Sequence, residues 1–161
     1  MSDYNILLVD DQQMILDSMA ENLEDDGYAV SSASTGRAAF SAVENGTFDV
    51  VITDLVIDDI DGLDVLKKVK MENPETRVMI LTGYGDMESA VEALRNHADD
   101  YIQKPCSPEE IRFRIQRCLY ELELIRKLRM YKKILPVCCE CKKIRDDDGR
   151  HPGTGKCMSF E

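Results

Sequence analysis

Asp49-Val50-Val51-Ile52-Thr53-Asp54 decides the fold. Its middle is an unbroken apolar run of strand length that stops at a carboxylate. A strand with one face in water alternates apolar and polar residues. A strand covered on both faces does not, and such strands belong to parallel sheets. The same design recurs in Ile6-Leu7-Leu8-Val9, which ends in Asp10-Asp11, and in Val78-Met79-Ile80-Leu81, which ends in Thr82-Gly83. Tyr28-Ala29-Val30 is a weaker strand, and Asp100-Tyr101-Ile102-Gln103 is a short last one before Lys104-Pro105.

Helical patterns fill the intervals. Apolar residues at positions 15, 16, 19, 20 and 23 share one helix face, and Gly27 stands where a left-handed helix end favours glycine. Thr35 is placed to cap a helix over Ala38 to Val43. Helices over Leu63 to Met71, broken at Pro74, and over Met87 to Arg95 complete the alternation. Strands alternating with helices through right-handed crossovers give an α/β fold. The expected form is a doubly wound, five-stranded parallel sheet of flavodoxin-like order 2-1-3-4-5 with an extended C-terminal helix. Ligands of such sheets bind outside the carboxyl ends of the strands. Asp10, Asp11, Asp54, Thr82 and Lys104 all fall along that edge.

A chain of 161 residues allows one ordinary domain and an appendage. A net charge of −11 argues against binding the phosphate backbone with the whole surface, so no direct nucleic-acid contact is expected. No apolar run approaches the roughly 18–20 residues that span a bilayer. The beginning of the chain, with Asp3, Asp10 and Asp11, lacks the basic start of a signal peptide, so a cytoplasmic protein without membrane contact is expected. Charge is unevenly spread: residues 1–104 hold 7 basic and 22 acidic side chains, residues 105–161 hold 13 and 9. Cysteine divides at the same place, with none before Cys106. Two physically different parts are implied. The expected boundaries are a domain over 1–120, a helical extension over 121–135 and a cysteine-bearing tail over 136–161.

Ser107 and Glu110 fit a capping box, with Pro108 in the first turn of a helix that meets no breaker until Pro136. Ile111, Ile115, Cys118, Leu122 and Ile125 follow a 4-3-4-3 spacing, that of a coiled-coil seam, which slips to Leu128. A homodimer through this helix is the resulting expectation. The basic residues Arg126, Lys127, Arg129, Lys132 and Lys133 are read as a solvated face, with Glu123 and Lys127 as an i,i+4 ion pair. In the tail, Cys138-x-x-Cys141 is half of a zinc site, and Cys157 and His151 are the only further candidates downstream. Zn²⁺ on Cys138, Cys141 and Cys157 is one expectation for this segment; a loose tail of reduced thiols is the other.

Carboxylates gathered at one strand edge repel each other, which raises their pKa values unless something positive sits among them. Mg²⁺ suits such a site, since it takes one or two carboxylates, keeps waters and leaves room for a phosphate oxygen. Lys104 supplies a point charge suited to a phosphoryl group, and Thr82 a hydroxyl donor. With an aspartate as nucleophile, the chemistry is phosphoryl transfer onto a carboxylate.

These residues resemble the receiver domain of bacterial two-component response regulators over about residues 3–120. The likeness rests on Leu8-Val9-Asp10-Asp11, Thr53-Asp54-Leu55, Asp61-Gly62-Leu63, Leu81-Thr82-Gly83-Tyr84-Gly85-Asp86 and Asp99-Asp100-Tyr101-Ile102-Gln103-Lys104-Pro105. The resemblance implies that Asp54 accepts the phosphoryl group from a sensor histidine kinase. It implies Mg²⁺ on Asp11, Asp54 and the carbonyl of Val56, with Asp10 acting mainly through water. Thr82 and Lys104 would hold the phosphoryl group, Tyr101 would act as the rotamer switch, and the Lys104–Pro105 bond would be cis. Only autophosphorylation and autodephosphorylation would be catalysed. The chain departs from the family pattern in having Asp58 where proline is usual, followed by Asp59, and Cys106 where an aromatic is common. Val56 and Tyr84 occupy positions that tune how long the phosphoryl group lasts. Three rivals stand beside this reading. A metal-dependent aspartyl phosphatase would carry an acid where Val56 stands. A flavin protein would need a phosphate-cradling loop after the first strand. A zinc-binding interaction module with an inactive receiver is the third.

Overall fold

The computed structural model describes residues 4–83 and 87–134. Five parallel strands alternate with five helices. The order is β1 (Asn5–Val9), α1 (Gln13–Asp25), β2 (Ala29–Ala33), α2 (Gly36–Asn45), β3 (Val50–Thr53), α3 (Gly62–Glu72), β4 (Arg77–Thr82), α4 (Met87–Arg95), β5 (Asp100–Gln103) and α5 (Pro108–Ile134). The sheet runs β2-β1-β3-β4-β5, every pair parallel. The flavodoxin-like expectation holds, including the strand order.

The continuous apolar strands are those buried on both faces. Ile6 to Val9, Val50 to Thr53 and Val78 to Thr82 are all buried. Leu16, Leu23, Leu63, Leu66 and Val69 from the surrounding helices are buried with them. β2, at one edge, extends past the apolar triplet into the exposed Ser31 and Ser32. An edge strand is held by its ladder to one neighbour, so its sequence carries little apolar signal.

Local signals behave as their chemistry requires. Thr35 Oγ1 accepts from Ala38 N at 3.1 Å. Gly27 ends α1 at φ 89°, in the left-handed region. Ser107 Oγ accepts from Glu110 N, whereas the Glu110 carboxylate takes hydrogen bonds from Arg114. Only half of the expected capping box therefore forms.

The chain divides after Tyr120 into two units, Met1–Tyr120 and Glu121–Glu161. α5 is helical over 27 residues. Ile111, Ile115, Cys118 and Leu122 are buried in the single chain, whereas Ile125 and Leu128 are 37% and 59% exposed. The early part of the proposed seam is thus core rather than an open edge. Glu123 and Lys127 pair at 3.4 Å. Among the described residues no helix is long and apolar enough to cross a membrane. Cys138, Cys141, His151 and Cys157 of the tail, and Tyr84 after β4, lie outside the described residues.

Candidate functional site

Four of the five strands deliver parts of the site at the carboxyl edge of the sheet. Asp10 and Asp11 follow β1, Asp54 follows β3, Thr82 closes β4 and Lys104 follows β5. The ladder carries their registration: Asp54 N donates to Val9 O at 2.8 Å and Lys104 N to Thr82 O at 2.8 Å. Asp10, Asp54 and Thr82 are buried.

Lys104 is the electrostatic centre. Its Nζ donates to Asp10 Oδ2 at 2.6 Å and to Asp54 Oδ2 at 2.7 Å. Partial burial by itself pulls the ammonium pKa down. The hydrogen bonds and charges of the two aspartates outweigh this and hold it above the ordinary lysine value. The other oxygen of each carboxylate also has a partner. Asp10 Oδ1 accepts from Gln12 N at 2.9 Å, and Asp54 Oδ1 from Val56 N at 3.1 Å. Both acids are thereby aimed before any ligand arrives.

Asp11 is placed differently. It is half-buried, and its carboxyl is pushed above the usual range by burial first, then by the charges of Asp58, Asp10 and Asp54. Negative charge at this edge therefore exceeds what Lys104 neutralises. Among the described residues no three His, Cys, Asp or Glu side chains are arranged to hold a metal ion. The positive charge between Asp10 and Asp54 is the ammonium of Lys104.

The loop from Asp54 to α3 is shaped by Gly62. Gly62 N donates to Leu55 O at 2.8 Å, and a Cβ at Gly62 would collide with the carbonyl oxygen of Asp54 and the Cα of Leu55. Asp61 Oδ1 caps α3 through Leu63 N. Val56 is 53% exposed, so its side chain leaves the approach to Asp54 to its main chain. Tyr101 is half-buried against the apolar core rather than fully outside. The Lys104–Pro105 peptide is cis.

Three arrangements escape sequence reading. Asp59, noted in the sequence only as a further acid after Asp58, takes backbone hydrogen bonds from Gly36 and Arg37 at the start of α2. Asp99 gathers Lys70, Arg77 and the Val78 amide at the opposite end of the sheet. Asp100 is buried and held by Arg114 and Arg117 of α5. Each pairing joins residues 14 to 29 apart in the chain, and only the fold brings them together.

The arrangement is that of a known family. Residues 6–116 match the response regulator receiver domain. The alginate biosynthesis transcriptional regulatory protein AlgB of Pseudomonas aeruginosa is 37% identical over 123 residues, 76% of this chain and 27% of that protein. The chain spans only 27–28% of the length of AlgB from three Pseudomonas species. A CheY-like receiver domain protein from Methanospirillum hungatei is 35% identical with a TM-score of 0.74, covering 76% of this chain and 98% of that one. A receiver domain protein from Clostridium thermocellum is 33% identical with a TM-score of 0.71, covering 76% and 98%. With most of the chain matched and the acids, hydroxyl and lysine lying on one sheet edge, this protein belongs to the response regulator family and carries its receiver domain.

Proposed function

We propose that the chain works as a phosphorylation-operated switch, accepting a phosphoryl group on Asp54 from a phosphohistidine of a sensor histidine kinase. The observation that carries this is the placement of Asp54, buried, with one oxygen on Lys104 Nζ at 2.7 Å and the other on Val56 N.

An oxygen of the Asp54 carboxylate attacks phosphorus as the bond to the imidazole nitrogen breaks. The nitrogen keeps the electron pair and takes a proton, and the product is an acyl phosphate. Charge on the equatorial oxygens is the main demand of such a step. Lys104 can answer it by turning from the carboxylates to the phosphoryl oxygens, and Thr82, buried at the end of β4, can add a hydroxyl hydrogen bond.

Asp10, Asp11, Asp54 and the carbonyl of Val56 are hard oxygen donors, and the raised carboxyl of Asp11 marks surplus negative charge. By donor type, though with Lys104 now standing between Asp10 and Asp54, that set suits Mg²⁺. When bound, the ion would supply neutralisation of the negative charge that gathers during transfer. The aspartyl phosphatase alternative is disfavoured by Val56, whose amide holds Asp54 where that chemistry needs an acid.

Once modified, Asp54 carries a dianion that competes with Asp10 for Lys104. Thr82 drawn inward leaves space into which Tyr101 follows, changing the face built from α4, β5 and α5. Such a change biases two pre-existing states. Homodimerisation through α5 is a further part of this reading. Acetyl phosphate with Mg²⁺ tests the acceptor: intact-mass measurement should show one phosphoryl adduct on the wild type and none on Asp54→Ala. Equal absence in both removes the assignment.

A further inference from the structure

The β3–α3 loop is fastened at a point that the transfer step does not use. The Asp59 carboxylate reaches the first turn of α2, 23 residues earlier in the chain. Its Oδ1 accepts from Gly36 N at 2.7 Å and its Oδ2 from Arg37 N at 3.2 Å. The first amides of a helix have no partner within it. Thr35, the N-cap, satisfies only Ala38 N. Asp59 supplies the rest, placing a negative charge at the positive end of the helix. Gly36 is part of the same contact. A Cβ there would stand 2.5 Å from Ile60 Cβ and 3.3 Å from Asp59 Oδ1.

The same loop starts at the acceptor. Leu55 and Ile57 are buried, and the Val56 amide between them bonds Asp54. At the far end Asp61 caps α3. The exposed stretch between Ile57 and Asp61 is where Asp59 ties the loop to α2.

We propose that Asp59 is a positioning residue: by capping α2 with both carboxylate oxygens it pins the β3–α3 loop, and so fixes where the Val56 main chain stands beside Asp54. The proposal rests on Asp54 being the phosphoryl acceptor, and it links α2 mechanically to that site.

The test uses the full chain as wild type, Asp59→Ala, Asp59→Asn, Gly36→Ala and Thr35→Ala, with Asp54→Ala as the acceptor control. Two quantities are read: amide hydrogen exchange of residues 55–58 without divalent cation, and the Mg²⁺ concentration giving half-maximal acetyl-phosphate labelling. Loss of a direct partner of a metal ligand costs about 10–100-fold in affinity, and this tie is one step further out. Asp59→Ala and Gly36→Ala should therefore exchange faster at 55–58 and need about 3–10-fold more Mg²⁺. Asp59→Asn, which keeps one acceptor oxygen, should fall between them and wild type. A double variant combining Asp59→Ala with Gly36→Ala, added to this set, should be no worse than Asp59→Ala, because both changes cut one tie. Thr35→Ala removes a cap of the same helix without touching the loop; it should lower Tm and leave both readouts as in wild type. Wild-type exchange and Mg²⁺ dependence in Asp59→Ala overturn the proposal. So does an equal shift in Thr35→Ala, which would make the effect one of helix stability. A wild type as unlabelled as Asp54→Ala refutes the acceptor assignment instead, while the exchange data still report on the tie.

Discussion

Lys104 Nζ stands 2.7 Å from Asp54 Oδ2, although β4 lies between the strands that carry them. The lysine is a counter-ion that must also be able to leave. Replacing it with methionine keeps most of the apolar stem and strands two buried carboxylates. Breaking a fully buried pair costs about 3–5 kcal/mol; Lys104 keeps some solvent contact, so a loss of about 2–3 kcal/mol at pH 7 is expected for Lys104→Met. Denaturant unfolding measures it.

The same contact gives a pH signature. A lysine whose pKa is raised on folding contributes stability that is complete below its unfolded value, near 10.5, and is lost as pH rises through the folded value. Lys68 and Tyr28 also have raised values and weaken the fold in the same alkaline range. The difference between wild type and Lys104→Met isolates the Lys104 part. It should be constant from pH 7 to about 10 and shrink above that. A difference that does not shrink would mean that the variant is destabilised by packing alone.

Asp11 should behave in the opposite sense. Its carboxyl pKa is raised by burial and by Asp58, Asp10 and Asp54, so ionising it costs the folded state. Stability tied to this group is present below the unfolded value of 3.8 and is lost as pH climbs through the raised one. Asp11→Asn should therefore stabilise the metal-free protein at pH 7, by only a few tenths of a kcal/mol because solvent screens the group. That gain should vanish as pH falls toward 3.8. The same variant should lose Mg²⁺-dependent labelling. Gaining stability while losing labelling would mark Asp11 as kept for function.

Most of the fold was legible because burial on both faces writes itself into sequence. Ile6 to Val9 and Val50 to Thr53 have no polar alternation to confuse, and both are strands. The convergence of Asp10, Asp54, Thr82 and Lys104 at one edge followed from topology, since every parallel strand ends on the same side. The partner of each side chain did not. Asp59 looked like surplus charge because its donors, the Gly36 and Arg37 amides, are adjacent only after α2 packs beside the loop. The α5 spacing was legible only in part for a related reason. A 4-3-4-3 spacing reports that one helix face is covered, but not by what, and for Ile111, Ile115 and Cys118 the cover is the chain's own core.

Gly62 and Gly83 offer a contrast within one site. A Cβ at Gly62 meets the Asp54 carbonyl and Leu55 Cα, which are backbone and cannot swing aside; a Cβ at Gly83 meets nothing within 4 Å among the described residues. Gly62→Ala should cost about 1–3 kcal/mol by overpacking and displace the acceptor strand end, lowering the labelling rate. Gly83→Ala should stay within about 0.5 kcal/mol of wild type. Parallel denaturant melts and labelling time courses decide between this and a purely conformational role for both glycines.

Beyond Tyr120 the helix presents Leu124, Ile125, Leu128, Met130 and Tyr131, each between 37% and 59% exposed. Isolated helices of this length are marginal in water, and an exposed i,i+4 pair such as Glu123–Lys127 contributes only about 0.3–0.5 kcal/mol. An apolar segment of that kind is stabilised by covering, and a second copy can supply the same residues in return. Ending the chain after Tyr120 should leave a receiver that still unfolds cooperatively, since the first unit stays whole. Light scattering should then show a dimer for the full chain and a monomer for the shortened one. The same single-chain mass for both would refute pairing through the helix, and a dimer for both would move the interface into the receiver. In either case the exposed residues 124–131 would need another partner.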